Sequence, residues 1–328
     1  MNFHFIWLAA IVHDIVGDVN PIAIRTGIID IHWYGIMMAL AFLACLVICI
    51  YLGKKSGLDA GFMSDLTTWL MVSGILGARA AHVIANIDQY KVDPISVLYI
   101  HKGGLIYYGG FVGAAIGVGL FAMSRRTSVL KLYDIIIVAL PLSHALGRVG
   151  CFLNGCCFGK ATNWITGVSY PLNSEVGFSQ LRSHIVSNSY VRALMVQLDN
   201  SQTSAAQFRD SLAALVQNGT IKPSEAVCVP VHPVQLYEAA LNVVLSLGLL
   251  WYYRRRRLDG SVVATYLLTY PVVRFVIEFM RGDERQMLGR LTVAQAVSFA
   301  MFAGGIAGWL WLINRERTNP GSPSRCCK

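Results

Sequence analysis

The sequence predicts an all-α integral membrane protein with seven transmembrane helices. The N-terminus is outside, the C-terminus is cytoplasmic, and an external subdomain lies between helices four and five. Three observations predict this. First, 55% of the 328 residues are hydrophobic and 14% are charged, with a mean hydropathy of +0.53. A soluble domain carries about 25% charged residues, so a soluble enzyme, a disordered chain and a secreted disulfide scaffold are excluded. Second, seven apolar runs approach or exceed the roughly 20 residues of helix that cross a bilayer core. Third, the basic residues gather in alternate loops, on one side of the membrane.

The elements follow in order. Residues 1–30 form an outer interfacial segment. Its patch at 3–12 is apolar but lacks the basic flank of a cleaved signal peptide. Residues 31–159 carry helices one to four, at 31–53, 62–87, 105–124 and 133–153. Residues 160–231 form the external loop subdomain or lid, with an amphipathic helix expected near 204–217. Residues 232–314 carry helices five to seven, at 234–253, 261–280 and 291–313, and residues 315–328 are a cytoplasmic tail. The first, third and seventh runs contain no Asp, Glu, Lys or Arg. Helices are the default because lipid cannot satisfy an open backbone, and continuous runs do not suit the alternating strands of a barrel. Gly113–Gly117 and Gly304–Gly308 have the spacing that lets helices approach closely.

Orientation comes from the loops. Lys54, Lys55, Arg125, Arg126, Lys131, Arg254 to Arg257, Arg315 and Arg317 all fall on one side if the seven spans hold. That side is expected to be cytoplasmic. The net charge of +9 then belongs to topology and is no sign of nucleic-acid binding.

Ionisable groups inside spans are costly and mark function by default. Arg79, His82, Arg148, Glu238, Arg274 and Glu278 all fall in the outer half of their spans, with His32, Tyr34, Tyr107 and Tyr108 at outer ends. Asp65 and Asp134 fall at inner ends, where interfacial water is expected to hydrate them. Arg274 and Glu278 are four apart and can pair along one helix face. Guanidinium is then in excess, and its planar fork suits phosphate. An outer cavity rich in Arg fits an anionic phospholipid headgroup. The structural alternatives stay open at this point. Arg79 can snorkel, Arg274–Glu278 can be a packing pair, and the tyrosines can be an aromatic belt.

Three strings carry more information. Gly147-Arg148-Val149-Gly150-Cys151-Phe152-Leu153-Asn154-Gly155 closes span four. His232-Pro233-Val234-Gln235-Leu236-Tyr237-Glu238 opens span five. Arg274-Phe275-Val276-Ile277-Glu278-Phe279-Met280-Arg281 closes span six. With Ile31-His32-Trp33-Tyr34-Gly35 and Gly103-Gly104-Leu105-Ile106-Tyr107-Tyr108-Gly109-Gly110, the chain resembles prolipoprotein diacylglyceryl transferases from about residue 31 to 313.

The resemblance implies a bacterial seven-span enzyme of the cytoplasmic (inner) membrane, with its active site toward the outer face. Its substrates would be phosphatidylglycerol and the lipobox cysteine of prolipoproteins. It would form a thioether and release glycerol phosphate. Membrane lipids are the surroundings, and no nucleic acid, cofactor or metal is implied. By resemblance Arg148, Arg274, Tyr108 and Glu278 are catalytic. Arg148 and Arg274 would hold the leaving phosphate, and Glu278 would orient Arg274. Tyr34, His32, Gly147, Gly150, Asn154, Arg79, Arg281, His232, Gln235, Tyr237 and Glu238 are expected around the substrates. For the string from His232 to Glu238 a scaffold role is expected.

The chain departs from the family pattern. Members often show Asn at the position of Cys151, Glu at that of Cys156 and His at that of Tyr108. The proton acceptor can be His101, another group or water. Cys151, Cys156 and Cys157 are read as small packing residues, with a disulfide or a metal site as alternatives. Two other functions remain open: the same scaffold with a different acceptor, and a transporter of an anionic solute or lipid.

Overall fold

The computed structural model describes residues 22–25, 30–99, 103–170, 174–182, 214, 217–218, 228–283, 285 and 287–318. The helix expected near 204–217 and the apolar patch at 3–12 lie outside the described residues, apart from 214 and 217. The elements are β1 (Ile22–Arg25), β2 (Asp30–His32), α1 (Trp33–Lys55), α2 (Ala60–Ala85) and α3 (Ile87–Val92). A 3₁₀ turn (Pro94–Leu98) precedes α4 (Tyr107–Ser124), α5 (Val129–Asn154) and α6 (Glu175–Arg182). Then come α7 (Val234–Tyr253), α8 (Ser261–Met280), β3 (Met287–Leu288), β4 (Leu291–Thr292) and α9 (Val293–Thr318).

Among the described residues seven helices are long and apolar enough to cross a membrane: α1, α2, α4, α5, α7, α8 and α9. They match the seven runs, and two of them match to the residue. Leu43, Val47, Leu76, Ile116, Leu120, Leu247, Val276 and Leu310 are exposed. Water would not tolerate so much outward apolar surface, whereas lipid does.

The chain divides into two compact units. One takes the segment up to Ala41, Ser143–Val244 and Thr269–Phe302; the other takes Phe42–Leu142, Leu245–Leu268 and the segment from Ala303.

In the first unit β1 and β2 pair antiparallel, with Ile22 opposite His32, and deliver the chain to α1. The start of α1 packs on the end of α5. Gly150 permits this, because a Cβ there would stand 3.1 Å from Met37 Cβ and 3.2 Å from the Tyr34 ring. Ser143 Oγ donates to Ala41 O at 2.9 Å along the same seam. Beyond α5 the chain folds over Phe152, Phe158, Val168, Tyr170 and Val231, all buried. Bridges join Gly159 to Arg281, and Val231 to both Ala161 and Val168. They tie this loop to the ends of α7 and α8.

In the second unit α2 and α4 cross through glycine. A Cβ on Gly77 would lie 2.5 Å from Gly109 O and 2.6 Å from Gly113 Cα, so the contact is backbone on backbone. The other expected glycine pair behaves differently. Nothing lies within 4 Å of a Cβ at Gly304 and only Ala264 at 3.9 Å for Gly308, while Gly305 meets Leu267 and Leu268 at 3.0 Å. The close approach of α9 sits one residue off the expected register.

Asp134 also differs from its expected hydration. It is fully buried, accepts from the backbone N–H of Gly260, Val262 and Val263 at 2.8–3.1 Å, and pairs with Arg256 at 3.2 Å. Its carboxylate therefore satisfies the N–H groups that start α8, where negative charge is also favoured by the helix dipole.

Candidate active site

In the first unit α5, α7 and α8 bring their charged residues together. Arg148 is one turn after His144 on α5, and Glu238 is in the second turn of α7. Arg148 Nε stands 3.0 Å from Glu238 Oε2 and donates to His144 Nε2 at 3.2 Å. Glu238 Oε1 lies 3.5 Å from the same His144 nitrogen. The Glu238 carboxylate is 2% exposed, so protein surrounds it. Burial of that kind requires a partner for each charge, and the two strings supply one another's.

On α8 the expected pair forms: Arg274 Nη2 is 2.7 Å from Glu278 Oε2. Arg285, in the loop after α8, stands 3.7 Å from Glu278 Oε1 and donates to the Glu278 backbone carbonyl at 2.7 Å. Arg274 Nη1 is buried and has no hydrogen-bond partner among the described residues. A guanidinium donor left in that state costs more than an ordinary lost hydrogen bond. The charges of Arg148, Arg274 and Glu238 all reach His144, whose ring tilts against Tyr270 at 5.8 Å. Arg281 pairs with Asp283, Nε to Oδ1 at 2.9 Å. Burial works against its charge, but Asp283 outweighs that and holds the guanidinium above its ordinary range. Four guanidiniums thus face three carboxylates.

The string that opens α7 hydrogen-bonds to the segment that follows α5. Gln235 is buried, and its Nε2 donates to Cys156 O at 2.8 Å. Tyr237 OH bonds Thr166 Oγ1 at 2.7 Å. His232 exchanges backbone bonds with Gly159 and Lys160, and burial lowers the pKa of its ring. Glu238 completes the series on Arg148.

Cys151, Cys156 and Cys157 form a second cluster beside the first. Their sulfurs all lie within 4.8 Å of one another. Gly155 (φ 68°) and Cys157 (φ 60°) turn the chain back at the end of α5, and Cys156 N donates to Cys151 O at 3.1 Å. Hydrogen bonds from Cys151 and Cys156 push the Cys157 thiol well down, and Arg148 and Arg281 add to this. The same contacts push Cys156 up. Cys228, more deeply buried, is pushed up to about 12 by desolvation.

Tyr34 lies over Gly150, within the field of these cysteines and of Arg148. His32 ends β2, and Asn154 ends α5. At Gly147 a Cβ would meet only Met38 Sδ among the described residues, at an ordinary contact distance of 3.8 Å, so packing does not require glycine there.

Arg79 and Tyr108 belong to the other unit. Arg79 does not snorkel; it is 6% exposed. It donates to the carbonyls of Val97, Gly103, Gly104 and Ser96 at 2.5–3.0 Å and lies over the Tyr90 ring. Its guanidinium holds the loop that leads into α4. Gly103 (φ 89°) and Gly104 (φ 78°) let that loop close, and a Cβ at Gly104 would meet Arg79 Nη1 at 2.7 Å. Tyr108 opens α4 with its ring edge-to-face with Tyr107. His101 lies outside the described residues.

Sequence reasoning passed over Arg285 and Tyr270, and read His144 as a satisfied residue of the bundle rather than a ligand or base. His144 carried a signal, since it sits four residues before Arg148. Arg285 carried a weaker one, as the last charge of the Arg281-Gly282-Asp283-Glu284-Arg285 run.

The comparisons with known proteins point to one family. Residues 21–311 match the family described as prolipoprotein diacylglyceryl transferase. A phosphatidylglycerol–prolipoprotein diacylglyceryl transferase 2 of Clostridium perfringens is 26% identical over 287 residues, 88% of this chain and 92% of its own length. The Clostridium tetani protein of the same name is 27% identical over 88% of this chain and 95% of its own length. That of Synechococcus elongatus is 29% identical over 92% and 90%.

Proposed function

Because the chain belongs to the prolipoprotein diacylglyceryl transferase family, we propose that it moves the diacylglyceryl group of phosphatidylglycerol onto a prolipoprotein lipobox cysteine. The relatives carry that activity in their names over nearly their whole length. The observation that carries the residue assignment is Arg274 Nη1, a buried guanidinium donor with no hydrogen-bond partner among the described residues, in a cluster it shares with Arg148.

The chemistry asks for such donors. The acceptor thiolate attacks the glyceryl carbon, the carbon–oxygen bond to phosphate breaks, and glycerol phosphate leaves with one more negative charge than the diester had. Cations fixed where that charge develops lower the barrier without reorganising. Arg148 and Arg274 take this role. Glu238 and His144 hold Arg148 by its Nε edge, which reserves the terminal amino groups for phosphate. Glu278 holds Arg274 by Nη2 and leaves Nη1 to the ligand. Gln235, Tyr237 and His232 are positioning residues for the loop after α5. Tyr34, His32, Gly147, Gly150, Asn154 and Arg281 line the approach. Arg79 acts within its own unit, through the loop it holds ahead of Tyr108 at the start of α4.

The enzyme lies in the bacterial cytoplasmic membrane with the N-terminus outside and the C-terminus inside. Supporting this, Lys54, Lys55, Arg125, Arg126, Lys131, Arg254, Arg255, Arg315 and Arg317 all cluster at the ends of α1, α4, α7 and α9 and around the start of α5. The site then faces the outer leaflet, where a secreted acceptor and a lipid donor meet, and residues 160–231 lie on that side.

The test is release of glycerol phosphate from phosphatidylglycerol in the presence of a lipobox peptide. Arg148→Ala is expected to abolish release while the protein still inserts and elutes as the parent does. Parental release from that variant would remove Arg148 from the phosphate site.

A further inference from the structure

The three cysteines after Arg148 are not explained by packing. Each is partly exposed, and Cys157 holds a left-handed backbone that costs a residue with a side chain about 1–2 kcal/mol. Strain of this kind marks a position over-determined by its surroundings. Here the surroundings aim three thiols at one point. Cys151 comes from the last turn of α5, and the reversal at Gly155 returns Cys156 and Cys157 to it. Gln235 fixes the returning strand through the Cys156 carbonyl.

The resulting triangle has the dimensions of a metal site. Sulfurs bound to one zinc at about 2.3 Å in a tetrahedral array stand about 3.8 Å apart. The observed sulfurs lie within 4.8 Å of one another, so closing on an ion moves each by about 0.5 Å for that bond length. Thiolate ligands select soft, d10 ions over magnesium or calcium. Charge favours a divalent one. Three thiolates around it carry one net negative charge, a fourth makes two, and two guanidiniums, Arg148 and Arg281, act on the same cysteine. Three protein ligands also leave one tetrahedral position open, the pattern of catalytic rather than structural zinc.

The neighbouring cluster has a use for that position. The acceptor thiol must lose its proton to attack, and three ionisable groups of the neighbouring cluster are committed elsewhere. Glu238 and Glu278 are held by guanidiniums, and His144 is held by Arg148 and Glu238. A coordinating thiol is deprotonated by the ion itself.

We propose that Cys151, Cys156 and Cys157 bind one zinc ion, and that the acceptor cysteine takes its fourth position and is alkylated there as a metal-bound thiolate. The second half rests on the transferase reading above. On coordination the acceptor's S–H proton goes to solvent. A sulfur–carbon bond then forms at the glyceryl carbon as the carbon–oxygen bond breaks, and its electron pair stays on the phosphate oxygen, which Arg148 and Arg274 face. Zinc keeps its charge, and no oxidant or reductant is used.

Titration of the purified full chain with zinc against a chromophoric chelator tests the site. One zinc per chain is expected. Cys151→Ser, Cys156→Ser and Cys157→Ser each weaken binding at least tenfold, while Cys228→Ser and Cys156→His retain it, the latter because imidazole is also a zinc ligand. Absence of a stoichiometric zinc, or its retention in the triple serine variant, overturns the site. Cadmium in place of zinc gives a sulfur-to-metal charge-transfer band. A lipobox peptide raises that band only if its cysteine is present; no rise overturns the fourth-ligand role. Chelation is expected to stop thioether formation and zinc to restore it, and undiminished transfer by zinc-free protein overturns the metal's part in the reaction. A chain that binds zinc and peptide but forms no thioether under any condition refutes the transferase reading and leaves the metal site standing.

Discussion

Replacing Arg274 with lysine separates charge from fork. In the structure Nη2 is spent on Glu278 at 2.7 Å, and Nη1 is the buried donor without a protein partner. In Arg274→Lys a single ammonium remains. It can keep the ion pair with Glu278, which is 2% exposed, so the protein is expected to fold and insert as before. What is lost is the second, separately aimed nitrogen. A hydrogen bond to a charged group contributes about 1.5–3 kcal/mol, and one made to the departing phosphate is strongest as its charge develops. Since about 1.4 kcal/mol is tenfold in rate, kcat/KM falls by about 10- to 150-fold. The fall should appear mainly in kcat, because the interaction is made more strongly in the transition state than in the bound lipid. The assay is glycerol phosphate release in mixed micelles, with lipid and peptide varied independently. Parental kcat/KM in Arg274→Lys would refute the reasoning, for the fork would then have no task a point charge cannot perform.

Other consequences can be measured on the same preparation. Glu238→Gln leaves Arg148 buried without its counter-charge and should cost about 3–5 kcal/mol in reversible unfolding; an unchanged unfolding curve would contradict the pairing. Gly77→Ala drives a Cβ to 2.5 Å from Gly109 O and should destabilise by about 1–3 kcal/mol or more. Gly304→Ala, with nothing within 4 Å, should be neutral or stabilising by about 0.5–1 kcal/mol from helix propensity. The reverse order in thermal melts would rule out the α2–α4 crossing. Alkylation of metal-free protein near pH 8 should label Cys157 before Cys228. Cys157 is held below its ordinary range and so is thiolate there, whereas Cys228, raised to about 12, stays a protonated thiol until far higher pH. Early labelling of Cys228 in mass maps would contradict its burial.

The helices were legible because lipid imposes one solution on a long apolar run. The runs at 234–253 and 261–280 end where α7 and α8 end, since flanking proline, arginine and glycine punctuate them. The Arg274–Glu278 pair was legible because it is local. The partner of Arg148 was not, since Glu238 lies ninety positions away, and only the packing of α5 on α7 joins them. Asp134 was misplaced for a similar reason. Depth along a helix was readable, but the start of α8 that covers Asp134 was not. Arg79 looked like a substrate or interface arginine because four backbone carbonyls leave no trace in a sequence. The cysteines read as packing because C-x4-C-C is no familiar ligand spacing; the reversal at Gly155 and Cys157 is what makes it compact.

The most direct test of the account is mass spectrometry of a lipobox peptide incubated with the purified protein and phosphatidylglycerol. The account predicts one diacylglyceryl mass gain on the cysteine sulfur, with glycerol phosphate released in equal amount and neither product formed by Arg148→Ala. An unmodified peptide beside a working control enzyme, or a gain that survives loss of Arg148, would contradict it.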